Sequence, residues 1–398
     1  MRGPVVTCPV CKKLTALFFE PELPPPPPQS KGETGLWVRD RAMEAASASS
    51  PKVVVWHPDE KVPLPPTPSA PKPKLVVQPV EKTKAYSLAE VATVARQLIT
   101  NVEQVIVGKH QQVLLAVATL MAEGHLLVED VPGVAKTMMA RAIAISAGCT
   151  FKRIQCTPDL EPKDILGENF VDPQSGRAEL RFGPLFSQIV LVDEVNRASP
   201  RTQAALLEAM GESMVTMERV TYRLQRPFMV IATQNPIDHE GTFLLPEAQM
   251  DRFLVRLSLG YPELADEKQM IERFQLQHPI DTLQSVTSPD RIMECQQAVR
   301  TVRVSSGICD YILALIRATR RHPAMLLGAS PRGTLSLFRA AQSLAAIAGR
   351  DAVTAAEVRE LAQTILVHRI IVRREPAYQN LDAAEVFQEI LDKVPLPL

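Results

Sequence analysis

The chain has no net charge: 44 lysines and arginines balance 44 aspartates and glutamates over 398 residues. That balance removes the bulk attraction to nucleic acid or to an acidic membrane surface that a basic protein has. No basic, aromatic-rich stretch offers a local substitute. Long apolar runs are missing too. The longest, around residues 113–128, is interrupted by Glu123 and His125, short of the roughly 18 to 20 residues of a membrane span. The start, MRGPVVTCPVCKK, lacks the apolar core of a signal peptide. Cysteine is sparse, with six in the chain, and Cys149, Cys156, Cys295 and Cys309 stand singly in apolar stretches. Such usage argues against a disulfide scaffold. Cys8 and Cys11 form one CxxC knuckle, but tetrahedral zinc needs four ligands and no second pair follows. Zinc could only be completed there by another chain. The expectation from these absences is a cytoplasmic, reduced protein with no membrane span and no nucleic-acid partner.

What is present is unevenly spread. Half of the 34 prolines fall before residue 80. Proline fixes φ and lacks an amide donor, so residues 1–84, with a linker from about residue 12, are expected to form a disordered, Pro-rich tail. Both tryptophans, Trp37 and Trp56, lie within it. From residue 87 the texture becomes regular. Helical patterns at 88–103 and about 111–122 precede four short apolar strand candidates, near 126–129, 151–156, 189–193 and 228–234. Helical patterns between most of them predict a parallel sheet covered on both faces. After GYPELADE (260–267) no strand is evident, and helices are expected at 265–277, 289–300, 305–320, 331–348 and 354–370. The last opens on a capping box, Thr354 to Glu357. The chain thus reads as an α/β core over 85–262 followed by a small all-helical lid over 263–398.

The stretch LLVEDVPGVAKTMMARAIA (126–144) carries the first chemical signal. An apolar strand, a tight loop and a helix form the layout of a phosphate-binding loop. Successive amides and a helix N-terminus face the anion, a lysine neutralises the outer phosphates and a hydroxyl serves Mg²⁺. Asp130, Val131, Pro132, Gly133, Val134, Ala135, Lys136 and Thr137 make up that loop. The pattern GxxxxGK[ST] wants glycine where Asp130 and Ala135 stand. A positive φ at Ala135 would cost on the order of 1 kcal/mol, which a slightly adjusted turn would avoid. Further on, QIVLVDEVNR (188–197) is an apolar strand ending in two carboxylates. Asp193 is placed to hold Mg²⁺ through water, together with Thr137, and Glu194 to orient or deprotonate an attacking water. FMVIATQNP (228–236) is another apolar strand, and Asn235 at its exit can orient the same water.

In this order, and with DRF at 251–253 and SPR at 330–332, the motifs resemble those of AAA+ ATPases. The finer text, including EDVPGVAKT, RIQCTPDLEPKDILG and LGASPRGTLSLFRAA, resembles the MoxR family over about 90–385. The resemblance implies an ATPase using ATP and Mg²⁺ in a homo-oligomeric, hexameric ring. It also implies a chaperone-like action on a client protein, often one with a von Willebrand factor A domain. On the same grounds Arg252 is expected to act across a subunit boundary as an arginine finger, with a salt bridge to Asp251 or Glu247 as the alternative. Arg332 matches the second sensor, reaching from the lid to the nucleotide, or else is a surface arginine at a helix start. Val107 and Gly108 match the segment that lines the adenine pocket, though VIVGK is also a plain apolar stretch with a turn. Two insertions read as hairpins: 168–183, around Pro173 to Gly176, and 214–224. A metal-chelatase-like motor subunit and a DNA-acting motor are the alternatives, the second opposed by the neutral charge.

Overall fold

The structure, a computed structural model, describes residues 5–7, 14–16 and 87–397, except 172–177, 218–219, 236–241, 244, 276–277, 376–377 and 379–380. Cys8, Cys11, the Pro-rich segment, Trp37, Trp56 and the tip of the first hairpin lie outside the described residues. The chain divides into two compact units, residues 1–80 and 81–398. In the first, β1 (Val5–Thr7) pairs antiparallel with β2 (Leu14–Ala16). These triplets are rich in the β-branched and apolar residues that strands favour.

The second unit opens with α1 (Leu88–Glu103), α2 (His110–Met121), β3 (Leu126–Glu129), α3 (Lys136–Ser146), β4 (Phe151–Gln155) and α4 (Pro162–Leu166). Then come β5 (Gly167–Val171), β6 (Ala178–Phe182), β7 (Ile189–Asp193), α5 (Pro200–Glu212), β8 (Met214–Met217), β9 (Val220–Arg223) and β10 (Met229–Gln234). After α6 (Glu247–Met250) and β11 (Val255–Leu257), the chain turns helical. It continues through α7 (Leu264–Phe274), α8 (Pro279–Thr282), α9 (Pro289–Val299), α10 (Ser306–Arg321) and β12 (Met325–Leu327). It ends with α11 (Pro331–Ile347), α12 (Ala355–Leu366), β13 (Ile371–Val372) and α13 (Ala383–Lys393).

The main sheet is parallel throughout, in the order β11-β3-β10-β7-β4. Alternation along its strands sorts the side chains into two cores. Leu126, Val128, Ile189 and Leu191 face the helices α1, α3 and the lid. Leu127, Val190 and Val192 face α5 and the hairpin β8-β9. This is the period-two rule of a strand buried on both sides. The four anticipated strands are present. The fifth, β11, escaped the sequence reading because VRL is three residues long with a charge at its centre. That charge is matched by its neighbour, Arg256 Nη1 lying 2.9 Å from Glu129 Oε2.

Both insertions form antiparallel hairpins, β5-β6 and β8-β9. The expectation of no strand after residue 260 is corrected: β12 and β13 pair antiparallel. Strands of two or three residues have too little periodicity to register in a sequence. The helix expected over 354–370 ends at Leu366 and passes into a 3₁₀ turn, Val367–Arg369. Its capping box is as read, with Glu357 Oε2 accepting from the Thr354 amide at 2.7 Å.

That turn carries the tie between lid and core. Arg369 is buried, and its Nε donates to Asp251 Oδ1 at 2.8 Å. Its Nη2 donates to Phe253 O at 2.6 Å and Ser336 Oγ at 3.1 Å, and its Nη1 to Ile365 O. Asp251 also accepts from Ser330, the cap of α11, at 2.8 Å. Burial pushes the guanidinium down to about 10 against the pull of Asp251, so it stays charged at neutral pH. Arg369→Leu strands Asp251 without its cation and is expected to cost roughly 3–5 kcal/mol. Chemical denaturation of the two proteins measures this, and a loss below about 1 kcal/mol would contradict it.

Candidate nucleotide site

The loop after β3 holds two residues at positive φ, Gly133 and Ala135. Gly133 has φ +87°, and a Cβ there would meet nothing within 4 Å, so the backbone angle rather than space demands glycine. Ala135 sits at φ 61°, ψ 21°, in the left-handed region, so the turn does not adjust to spare it. A β-branched residue tolerates that region poorly. Ala135→Val is therefore expected to lower stability by about 1–2 kcal/mol, whereas Ala135→Gly keeps it or raises it slightly. Thermal unfolding of both variants distinguishes strain from indifference.

Asp130 has a different task from the glycine it replaces. Its Oδ2 accepts from the amides of Leu259 and Gly260 at 2.6 and 2.7 Å and from Ser258 Oγ at 3.0 Å; its Oδ1 accepts from the Val131 amide at 2.9 Å. Burial disfavours its charge, but these hydrogen bonds, led by Gly260, outweigh it and hold the pKa below the usual carboxylate range. The carboxylate thereby fastens the start of the loop to the strand exit of β11. Lys136 Nζ donates back to Asp130 O at 2.7 Å, which keeps the ammonium at the loop. Lys136 and Thr137 begin α3, whose first-turn amides have no acceptor within the helix.

The neighbouring strands bring the acidic residues alongside. Because β10 lies between β3 and β7, Asn235, buried at its exit, stands between the loop and the carboxylates. Asp193 ends β7, and Glu194 follows in a left-handed conformation, φ 56°. Thr233 joins the pair. Its hydroxyl donates to Asp193 Oδ1 at 2.5 Å and accepts from the Glu194 amide at 2.9 Å. Arg153 Nη2 lies 2.7 Å from Asp193 Oδ2, and Arg197 Nε 3.1 Å from Glu194 Oε2. Thr233, Arg153 and Gln155 were not singled out in the sequence. The signal for Thr233 was its place in ATQNP, on the strand that abuts β7. Arg153 and Gln155 could be connected only through the strand order. The hydroxyl of Thr137 and the carboxylate of Asp193 are hard oxygen donors, the set that suits Mg²⁺.

Beside the loop an apolar cleft of about 360 Å³ is lined by Val105, Val107, Val134, Tyr261, Met270 and Ile271. Its size and lining suit a flat heteroaromatic base. Gly108 turns beneath it at φ +70°, where a Cβ would fall 1.9 Å from the Asp266 carboxylate. The wall from Leu259 to Pro262 and from α7 was missed, because GYPELADE was taken only as a boundary.

Arg252 and Arg332 are elsewhere. They line one cleft of about 220 Å³ together with His125, Gly211, Leu335 and Arg339. His125 precedes β3 and Arg252 precedes β11, so this cleft lies at the amino ends of the parallel strands. The phosphate loop lies at their carboxyl ends. Four residues of β3 put roughly 13 Å between the two edges. Arg332 thus lies apart from the loop of its own chain. Arg252 Nη1 donates to Leu207 O at 2.6 Å, near the end of α5, and Asp251 is paired with Arg369 instead. His125 is held neutral: its Nδ1 accepts from the Val230 amide and its Nε2 donates to Met210 O, both at 3.0 Å. Burial lowers its pKa to about 4, assisted by nearby Arg252 and opposed by the Met210 bond.

Among the described residues no helix is long and apolar enough to cross a membrane. Residues 125–255 match the ATPase family associated with various cellular activities (AAA), and residues 317–390 match the AAA lid domain. An uncharacterized Bacillus subtilis protein, YeaC, is 44% identical over 300 residues, covering 75% of this chain and 94% of its own. Chaperone MoxR1 of Mycobacterium tuberculosis is 37% identical over 319 residues, 78% of this chain and 84% of its own. A crystal structure of a candidate ATPase from Cytophaga hutchinsonii superposes with a TM-score of 0.72 at 34% identity, covering 78% of this chain and 97% of that one. With the loop, the acidic strand end and the helical lid in place, these likenesses identify the chain as an ATPase of the MoxR family of AAA+ proteins.

Proposed function

We propose that this ATPase works as a ring of identical copies, hexameric as the family resemblance suggests, in which each nucleotide is completed by the next copy. The observation that supports this is the separation of the two edges. The loop, Asp193, Glu194 and Asn235 gather at the carboxyl ends of the strands, while Arg252 and Arg332 line a cleft at the amino ends. A single copy holds both halves of a site and cannot close them on each other.

In this proposal the base rests in the cleft lined by Val107 above Gly108. Asp130 fixes the loop, and the backbone from Val131 to Ala135, Gly133 in its left-handed turn, wraps the phosphates. Lys136 neutralises the outer phosphates. Thr137 and Asp193 would hold Mg²⁺, which when bound would neutralise charge on the phosphates. Glu194 orients the attacking water and takes its proton, with Asn235 positioning the same water. Arg252 and Arg332 of the adjoining copy stabilise the charge that develops on the γ-phosphate. The free energy released drives chaperone-like remodelling of a client protein, with a von Willebrand factor A-domain protein as the leading candidate. The hairpins β5-β6 and β8-β9 face that client.

The specific activity of the full chain should therefore rise with protein concentration and level off as the assembly saturates. Steady-state hydrolysis followed beside sedimentation velocity tests this. A specific activity that stays constant while the protein sediments as a monomer would contradict it.

A further inference from the structure

The carboxylates at the end of β7 are not free-standing. Arg153 Nη2 lies 2.7 Å from Asp193 Oδ2 and 2.5 Å from Gln155 Oε1. Gln155 Nε2 in turn donates to Glu194 Oε2 at 3.3 Å. The other oxygen of Asp193 is taken by the Thr233 hydroxyl. β4 is the edge strand of the sheet, and the register that sets Gln155 opposite Asp193 lays both side chains over the acidic pair. Residues two apart on a strand share a face, so Arg153 and Gln155 act as one unit.

The ion pair is asymmetric in a useful way. The Arg153 side chain is 48% exposed, whereas that of Asp193 is 12% exposed. The guanidinium can move into water at little desolvation cost, while the carboxylate is fixed by its strand and by Thr233. A cation already on Asp193 Oδ2 also repels a second one brought to the same group.

We propose that Arg153 is a positioning residue that neutralises Asp193 and must yield when Mg²⁺ arrives, so that it sets how much Mg²⁺ the site requires. This rests on the proposed role of Asp193 as the metal-side carboxylate. Mn²⁺ serves as the probe, its binding to the full-chain protein with ADP followed by electron paramagnetic resonance. Arg153→Gln keeps a hydrogen-bond donor and removes the charge. It should tighten Mn²⁺ binding about three- to five-fold, the scale of a half-exposed ion pair. Arg153→Lys, which restores a charge, should stay within about two-fold of the natural protein. Thermal unfolding of the ion-free proteins is expected to fall by no more than the worth of that one half-exposed pair, and a larger loss would mark a merely structural role.

Unchanged or weaker Mn²⁺ binding by Arg153→Gln would overturn the proposal. Asp193→Asn separates the two ways of failing. If it weakens Mn²⁺ while Arg153→Gln does not tighten it, only the role of Arg153 falls. If it leaves Mn²⁺ affinity unaltered, the assignment of Asp193 falls and takes the proposal with it.

Discussion

Arg252→Ala is expected to lower ATP turnover by about 10³-fold or more, the scale of a cation brought up to the γ-phosphate from outside the binding copy. Nucleotide affinity of an isolated copy should barely change, because Arg252 is at the opposite edge of the sheet from the loop. The variant also loses the bond from Nη1 to Leu207 O, worth on the order of 1 kcal/mol of stability. That is too little to unfold the domain, and a melting curve taken alongside the turnover assay separates the two effects. Arg252→Lys keeps the charge without the planar fork and should recover part of the rate. Full activity in Arg252→Ala would remove the arginine from the proposed mechanism.

Glu194→Gln isolates the chemical step. The replacement has the same shape, and since neither residue is glycine the left-handed backbone at this position is equally strained in both. The Glu194 amide keeps its bond to Thr233, so Asp193 keeps its orientation. What goes is the ability to take a proton from water. Turnover should fall about 10²- to 10⁴-fold, with nucleotide binding retained. Equilibrium binding of a fluorescent nucleotide, set against phosphate release, gives both numbers. A variant that loses binding in parallel with turnover would mean that Glu194 shapes the pocket rather than the reaction.

Much of this site was legible in the chain because its parts are local. Lys136 and Thr137 follow a strand and open a helix, and Asp193, Glu194 and Asn235 each stand where an apolar run stops. What the sequence could not carry is what the strand order brings together. Thr233 ties the Asp193 carboxylate to the Glu194 amide from the adjacent strand. Arg153 reaches Asp193 only because β4 pairs with β7. Asp130 looked like a substituted glycine, yet its carboxylate is a tie to Ser258–Gly260, 128 to 130 residues away. Arg332 was expected on the nucleotide, but order along the chain says nothing about which end of the strands the lid covers, so its place in one cleft with Arg252 could not be read. The short strands β11, β12 and β13 were missed for a simpler reason: two or three residues hold no pattern.

The most direct test of a shared site uses two defective proteins. Lys136→Ala removes the phosphate-binding charge but leaves Arg252 intact, and Arg252→Ala does the reverse. Each alone should be nearly inactive. Mixed in equal amounts above the assembly concentration, they form some boundaries that pair an intact loop with an intact arginine. Hydrolysis should then return to a sizeable fraction of the natural rate. A mixture no more active than the two proteins assayed separately, with both shown to co-assemble, would contradict a nucleotide completed by the neighbouring copy.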